Sequence, residues 1–581
     1  MMKLTGEQEA IIKAAKEGKD IFVDACIGSG KTTTINEICQ RLEGKILYLT
    51  YNKLLKEDAK KKIRTRNTEV TNYHGFVYKY LSAYRLPYSH QNGIKDFIRY
   101  VQNETIKMSR YDTVIVDEYQ DINDDAARLL ETIDTYQEEA QFIFVGDMKQ
   151  KIYDTSRVNP IEFIFSLGRK FEAMDLTHCF RLNKTHAEML RKIWKKEIKG
   201  VNEKQIVSHI RYDQDELYDI ISEYENKDIL ILTPFRNNVK LNQFINFIEK
   251  IDNVKYNKKN LYVTTSDREN TMRPVEDSMI VTTFDGSKGL ERRIAIVFGF
   301  ETDALAFRSE KGNKEIIKNL FLVAASRGKD EIIFIEEKTL LNEENFNTYL
   351  MERKEKEKFA PSSMFDFCFD TDIQETFEML EIKEEKTEDK TEIKAILNDY
   401  NINLAPVIGL YQEAIFFKDW NYEKILNSYP EEKPIVKYIK KIKPKTTRKK
   451  ILSLASIETD LARYHSQSIE EFIEIDEEVS LLNRLKERLE PELPSQIKVE
   501  YKAERGVSLI GYIDTVKEGV PYELKFVDHL EYKHFLQLGT YLMMGEFEKG
   551  VLWNTRKNEV FEVRIKDKEE FKKRMIKTIK K

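Results

Sequence analysis

The run Ile21-Phe22-Val23-Asp24-Ala25-Cys26-Ile27-Gly28-Ser29-Gly30-Lys31-Thr32-Thr33 has the residue types of a phosphate cradle. Ile21 to Val23 read as a short buried strand. Gly28, Ser29 and Gly30 let the backbone turn tightly and aim its N–H groups at an anion, and a helix from Thr33 adds its dipole. Lys31 would reach the β- and γ-phosphates, and the Thr32 hydroxyl would hold Mg²⁺. Ala25 stands where the G-x-x-x-x-G-K-[ST] pattern has its first Gly. A bare Gly-Ser-Gly-Lys-Thr also occurs in ordinary loops. The strand before it and the helix after it favour the phosphate reading.

A second group of chemical residues ends the apolar run Thr113-Val114-Ile115-Val116. Such a run reads as a fully buried parallel strand, and ligands in α/β proteins sit where those strands end. Asp117 there would bind Mg²⁺, and Glu118 would polarise the water that attacks the γ-phosphate. Gln141 to Asp147 is another buried strand, and in the stretch after it Gln150 would sense the γ-phosphate and Tyr153 would stack on a base. Gln8 has an amide that would read an adenine edge; taken alone, it equally suits the surface of a helix start. Tyr51 and Phe76 lie in polar, aromatic stretches at strand ends, as base stacking on a single strand requires. Ordinary loop packing explains each singly as well.

A third group lies near the C-terminus. Val507 to Asp514 and Val520 to Phe526 read as paired strands around a Lys517-Glu518-Gly519 turn. Side chains alternate along a strand, so Glu523 and Lys525 share a face. With Asp514 they would hold a hard divalent cation, Mg²⁺ or Mn²⁺, and place an attacking water. Gln537 and Tyr541, four apart on the following helix, share a face. A charged hairpin beside a helix is the alternative reading.

These groups need a scaffold of several domains, and 581 residues allow three or four. The apolar content, 41%, suffices for packed cores, and the net charge of −5 confines any nucleic-acid site to a local patch or channel. Cys26, Cys39, Cys179 and Cys368 are scattered, which predicts a reducing, cytoplasmic setting without disulfides. No stretch approaches the ~18–20 apolar residues of a membrane span. Residues 346–395 carry mixed-charge runs around Pro361 and read as a linker.

The order of these motifs resembles superfamily 1 DNA helicases of the UvrD/Rep type, over roughly residues 1 to 340. Gln8 matches the Q motif, Ala25 to Thr32 motif I, and Asp117-Glu118-Tyr119-Gln120-Asp121 the DExQD of motif II. Gly146-Asp147 with Gln150 and Tyr153 is similar to motif III. Thr50-Tyr51-Asn52-Lys53 and Tyr73-His74-Gly75-Phe76 resemble motifs Ia and Ib, and Val281 to Glu291 resembles motif V. The resemblance implies DNA contacts for Tyr51, Asn52, His74, Phe76, Tyr153 and Thr283. It implies nucleotide contacts for Gln8, Thr33, Gly289 and Glu291, the last at the ribose. Phe180 would take the place of the aromatic that stacks on adenine, and Arg181 and Arg327 of the two γ-phosphate arginines. Asp285 departs from the usual His of motif V. Short spacings between the motifs imply a compact motor with reduced arms.

Gly511-x-x-Asp514, Glu523-x-Lys525 and Gln537-x-x-x-Tyr541 resemble the PD-(D/E)XK nucleases of the RecB-like branch, over roughly residues 400 to 581. The resemblance asks for one more carboxylate on a helix, Glu413 or Glu500. No cysteine lies beyond Cys368, so no iron–sulfur cluster is expected of this region. The implied fold is α/β: RecA-like motor domains at 1–180 and 181–345, the linker, and a nuclease-like domain at 396–581. The implied function is an ATP-driven, 3′→5′ single-strand DNA translocase or helicase joined to a metal-dependent nuclease. Repair, recombination or DNA degradation would use it, with a loading protein as a further partner. Two alternatives replace the nuclease by a DNA-binding clamp, or the motor by an ATP-gated scaffold.

Overall fold

The computed structural model describes residues 4–51, 53–63, 65–88, 92–153, 156–235, 238–252, 254–257, 260–264, 277–301, 303–305, 313–336, 346, 358–365, 368, 370–394, 404–418, 420–429, 436, 439–441, 443–459, 472–502 and 508–579. Strands β1 (Ile21–Ala25), β2 (Ile46–Thr50), β3 (Thr68–Asn72), β4 (Thr113–Asp117), β5 (Gln141–Gly146) and β6 (Glu172–Leu176) form one sheet. Its order is β3-β2-β4-β5-β1-β6, and every pairing in it is parallel. Parallel strands covered on both faces are apolar throughout, and β2, β4 and β5 are buried along their whole length.

A two-residue pair, β7 (His178–Cys179) with β8 (Lys199–Gly200), leads into a second sheet. Its strands are β9 (Ile206–Ile210), β10 (Ile229–Thr233), β11 (Leu261–Thr264), β12 (Met279–Thr283), β13 (Arg292–Phe298) and β14 (Gly328–Ile335). The order is β11-β12-β10-β13-β14-β9, again parallel throughout. The chain thus carries two RecA-like parallel sheets. One hydrophobic cluster joins them, running from Cys26, Ile27 and Ile152 through Trp194 to Leu230, Val297 and Phe334.

The third sheet is mixed: β15 (Lys358–Phe359), β16 (Leu380–Glu385), β17 (Ser495–Lys502), β18 (Ser508–Lys517), β19 (Val520–Lys525), β20 (Lys549–Asn554) and β21 (Glu559–Ile565). The stretch expected to be a charged linker contributes to it. β15 pairs with β18, β16 pairs antiparallel with β21, and the helix Asp370–Phe377 packs beside them. The reason lies in alternation: Leu380 is buried and Ile382 packs on the core, while Glu381, Lys383 and Glu384 face water. This helix also meets the first module, through Arg157 on Asp372 and Lys95 on Gln374. Among the described residues no helix is long and apolar enough to cross a membrane.

Candidate functional site

At the end of β1 the chain turns through Gly28 and Gly30, both in the left-handed region at φ +67° and +79°. A Cβ on Gly28 would lie 2.9 Å from Arg181 Cβ and from Cys179 Sγ, so only glycine lets β7 lie on the loop. The Phe180 N–H seals this contact by donating to the Gly28 carbonyl at 2.9 Å. The helix begins at Lys31, two residues before the expected Thr33, because left-handed Gly30 caps it. Thr32 and Thr33 sit in its first turn. The Ser29 hydroxyl is buried without a hydrogen-bond partner.

Gln8 is buried, at 2% exposure, and not on the surface. It closes a capping box with Thr5, and its amide donates to Thr34 Oγ1 at 3.2 Å. A Cβ on Gly30 would stand 3.0 Å from Gln8 Nε2 and 3.5 Å from Phe180 Cε2. Gln8 and Phe180 therefore flank the loop, an amide opposite a ring.

The ends of β4 and β5 bring in the acids. Lys31 Nζ lies 3.6 Å from Glu118 Oε1. Tyr48 donates to Asp117 Oδ2 at 2.6 Å, and the Gln120 amide donates to Glu118. Glu118 has φ 54° and ψ 51°, a left-handed conformation that costs a non-glycine residue ~1–3 kcal/mol and is held here by its surroundings. Burial raises the carboxyl of Asp117, with the neighbouring Glu118 adding to it. Burial opposes the charge on Glu118 too, yet Lys31, Lys288 and Arg327 outweigh it and hold that carboxyl low. The two neighbouring acids are thus shifted in opposite directions. Gln150 donates to Asp147 Oδ2 at 2.9 Å, and the Asp147 N–H donates to Gln120 Oε1 at 2.9 Å.

The second module supplies the facing groups. Arg181 donates to the Ser326 carbonyl at 3.0 Å and pairs with Glu291, which also holds Lys329 at 2.6 Å. Burial opposes the charge on Glu291, but these cations bring its carboxyl down to about 2. Arg327 is 4% exposed, and its guanidinium donates to the Val323 and Leu290 carbonyls at 2.8 and 3.2 Å. Gly289 turns at φ +80° beside Leu55. Sequence reasoning missed Tyr48, Lys288, which pairs with Asp121, and Lys196, which reaches Asp24 and Asp147.

The residues expected to touch DNA divide. His74 is exposed and stacks on Tyr78, centroids 5.9 Å apart. Tyr51 is half-buried against the first core, and Tyr153 is half-buried with the Lys288 ammonium 5.8 Å from its ring centre. Thr283 is buried at the end of β12, its hydroxyl accepting the Gly286 N–H at 3.4 Å. Asn52 lies outside the described residues. Phe76 corrects the expectation. It points inward from the helix Tyr73–Ala83, is 1% exposed, and packs edge-on to Tyr80 and Phe97. No ring face is left for a base. Phe76→Ala is expected to lower the stability of its module by about 3–5 kcal/mol, read as a fall in denaturant midpoint. Normal stability with a loss of DNA affinity alone would show that the ring is a contact after all.

A second cluster forms on the third sheet. Glu518 (φ 50°) and Gly519 (φ +76°) make the tight turn between β18 and β19. β18 runs on past Asp514 to Lys517, so Asp514 lies within the strand and not at its end. The ladder between the two strands ends at Thr515 paired with Tyr522; just beyond it the Asp514 side chain takes over, its Oδ2 accepting the Leu524 N–H at 2.7 Å. Lys525 and Gln537 both donate to Glu523 Oε1, at 2.7 and 2.6 Å, and Gln537 reaches the Tyr541 hydroxyl at 3.3 Å.

Glu413 arrives from the helix Ala405–Phe417, near enough to Asp514 for one amide to reach both. Gln496 donates to Glu413 Oε2 at 2.8 Å and to Asp514 Oδ1 at 3.5 Å, another residue sequence reasoning missed. Glu500, the rival carboxylate, faces solvent on β17 beside Lys498. Burial raises the carboxyls of Glu413, Asp514 and Glu523; for Glu413 and Glu523 the neighbouring carboxylates raise them further.

Among the described residues no three acidic, His or Cys side chains stand ready-made around a cation. The donor set nonetheless fits a hard one. The acids are oxygen donors, and Glu523 Oε2 is buried without a hydrogen-bond partner.

Residues 7–156 match a family model described as an AAA domain. One ATP-dependent helicase/nuclease protein of Oenococcus oeni is 31% identical over 104 residues, 16% of this chain and 8% of that protein's length. Similar solved structures include the Arterivirus nonstructural protein 10 helicase, at 12% identity and a TM-score of 0.29, covering 56% of this chain and 61% of that one. A Pif1 helicase unwinding forked duplex DNA has 12% identity and a TM-score of 0.32, covering 59% and 94%.

Proposed function

We propose that this chain is an ATP-driven DNA translocase or helicase whose third module is a metal-dependent DNA nuclease. The motor reading rests chiefly on one observation: Lys31, Asp117 and Glu118 at the strand ends of one parallel sheet, with Arg327 of the second close enough to steady Glu118. In this reading ATP lies on the N–H groups from Gly28 to Thr33, its adenine beside Gln8 and Phe180 and its ribose at Glu291. Mg²⁺ would be held by Thr32 and Asp117. Glu118 is kept charged and so accepts a proton from the attacking water. Gln150, Arg181 and Arg327 face the γ-phosphate and stabilise the charge that develops there.

The nuclease reading rests on Glu413, Asp514, Glu523 and Lys525 converging from a helix and two strands. A divalent cation, Mg²⁺ or Mn²⁺, would polarise the scissile phosphate when bound there. Asp514 and Glu523, with Glu413, are the residues to hold it. Lys525 orients the nucleophilic water, and Gln537 and Tyr541 fix Glu523. We assign DNA as the substrate of both sites, and place the action in DNA repair, recombination or degradation, with 3′→5′ movement.

The experiment is an ATPase and nuclease assay of one preparation. ATP turnover should rise on adding a single-stranded oligonucleotide, and its apparent affinity for the strand should fall with salt, as for any protein that displaces counterions from phosphates. An ATPase indifferent to every nucleic acid would leave only a scaffold.

A further inference from the structure

Lys196 is a buried ammonium that the reading above does not use. It follows the helix Lys184–Trp194, after Lys195 turns at φ 50°. That helix is anchored in the second module. Leu190, Ile193 and Trp194 pack in one cluster with Leu230, Val297 and Phe334, and the Trp194 indole donates to the Lys318 carbonyl at 3.0 Å. Yet the Lys196 side chain ends in the first module. Its Nζ lies 2.7 Å from Asp24 Oδ1, at the end of β1, and 2.8 Å from Asp147 Oδ1, just past β5. Only 13% of the side chain is exposed, and Asp147 is 1% exposed. At that depth water screens the pair little.

Asp147 is a junction. Its other oxygen accepts the Gln150 amide, and its N–H donates to Gln120, which in turn donates to Glu118. The ammonium is thus one residue removed from Gln150 and two from Glu118. We propose that Lys196 is a positioning residue for ATP hydrolysis, a pin from the second module that fixes Asp147 and through it aims Gln150 and Glu118. The site is then set for hydrolysis only while the two modules stay closed. This rests on the ATPase reading above.

The test uses the full chain with Lys196→Ala, and Lys196→Met as a neutral variant of similar length that spares the packing. Steady-state ATPase is measured with saturating single-stranded oligonucleotide, and nucleotide affinity by a fluorescent ATP analogue. Misplacing reacting groups by about an ångström costs on the order of 10²-fold in rate. Both variants should therefore lose about that much kcat while nucleotide affinity stays within about threefold. Combining Lys196→Met with Gln150→Ala should cost less than the product of the two single losses, because part of the Lys196 effect runs through Gln150. Wild-type kcat in Lys196→Met would overturn the proposal, as would full additivity with Gln150→Ala, or a parallel loss of nucleotide binding and rate. A wild-type protein that hydrolyses no ATP would overturn the ATPase reading and the pin together.

Discussion

Lys31→Ala should bring ATP turnover to background, with or without DNA. Lys31 is held in the first turn of its helix, 3.6 Å from Glu118, by a loop that only Gly28 and Gly30 can form. Burial works against its charge, but Glu118, Asp147 and Asp117 more than compensate and keep the ammonium protonated. No other lysine among the described residues stands in that turn. Its loss leaves the charge developing on the γ-phosphoryl group without a fixed cation, and it leaves Glu118 facing an empty space. Arg181→Ala and Arg327→Ala should behave differently. They reach the site from the second module, so nucleotide still binds while hydrolysis slows by about 10³-fold. Radiolabelled phosphate release, with nucleotide binding measured in parallel, separates the two patterns. Turnover near wild type in Lys31→Ala would remove the motor reading.

Asp514→Ala should eliminate metal-dependent DNA cleavage and leave DNA-stimulated ATPase unchanged, because the cluster lies on a different sheet from the nucleotide residues. Asp514 does two things at once. One oxygen is fixed by the Leu524 N–H, and the other accepts from Gln496, which also holds Glu413. Lys525→Ala should have a similar effect on cleavage for a second reason. It removes the cation that offsets the buried negative charge of Glu523, and an unpaired buried carboxylate takes up a proton instead of holding a metal. Cleavage of labelled single-stranded, duplex and flapped DNA with Mg²⁺ and with Mn²⁺ reads both variants. Wild-type protein that cuts none of these with either metal would leave the third module a DNA-binding clamp.

Some of this chemistry is written locally. The phosphate loop needs a short apolar strand, glycines where the backbone is left-handed, and a lysine opening a helix, all within Ile21–Thr33. The carboxylates Asp117 and Glu118 are marked by the apolar run that stops at them. The Asp514 and Glu523 pair is marked by alternation on two strands around a two-residue turn. Each of these signals lies within a span that local conformation controls, so the order of residues is enough to find it.

What only the tertiary structure decided is which distant side chains complete each site. Phe76 carries the same aromatic signal as Tyr51, but helix phase turned it into the core. Leu380–Glu385 read as linker because its charges are counted in sequence, whereas the edge of a sheet sorts them by face. Glu413 is the first candidate in the sequence and Glu500 its rival, and only packing decides between them, bringing Glu413 to Gln496 and leaving Glu500 in water. Lys196, Tyr48 and Gln496 carry no spacing signal at all. Their partners lie 172, 69 and 83 residues away, and only tertiary packing, within a module or between two, brings them within a hydrogen bond's reach.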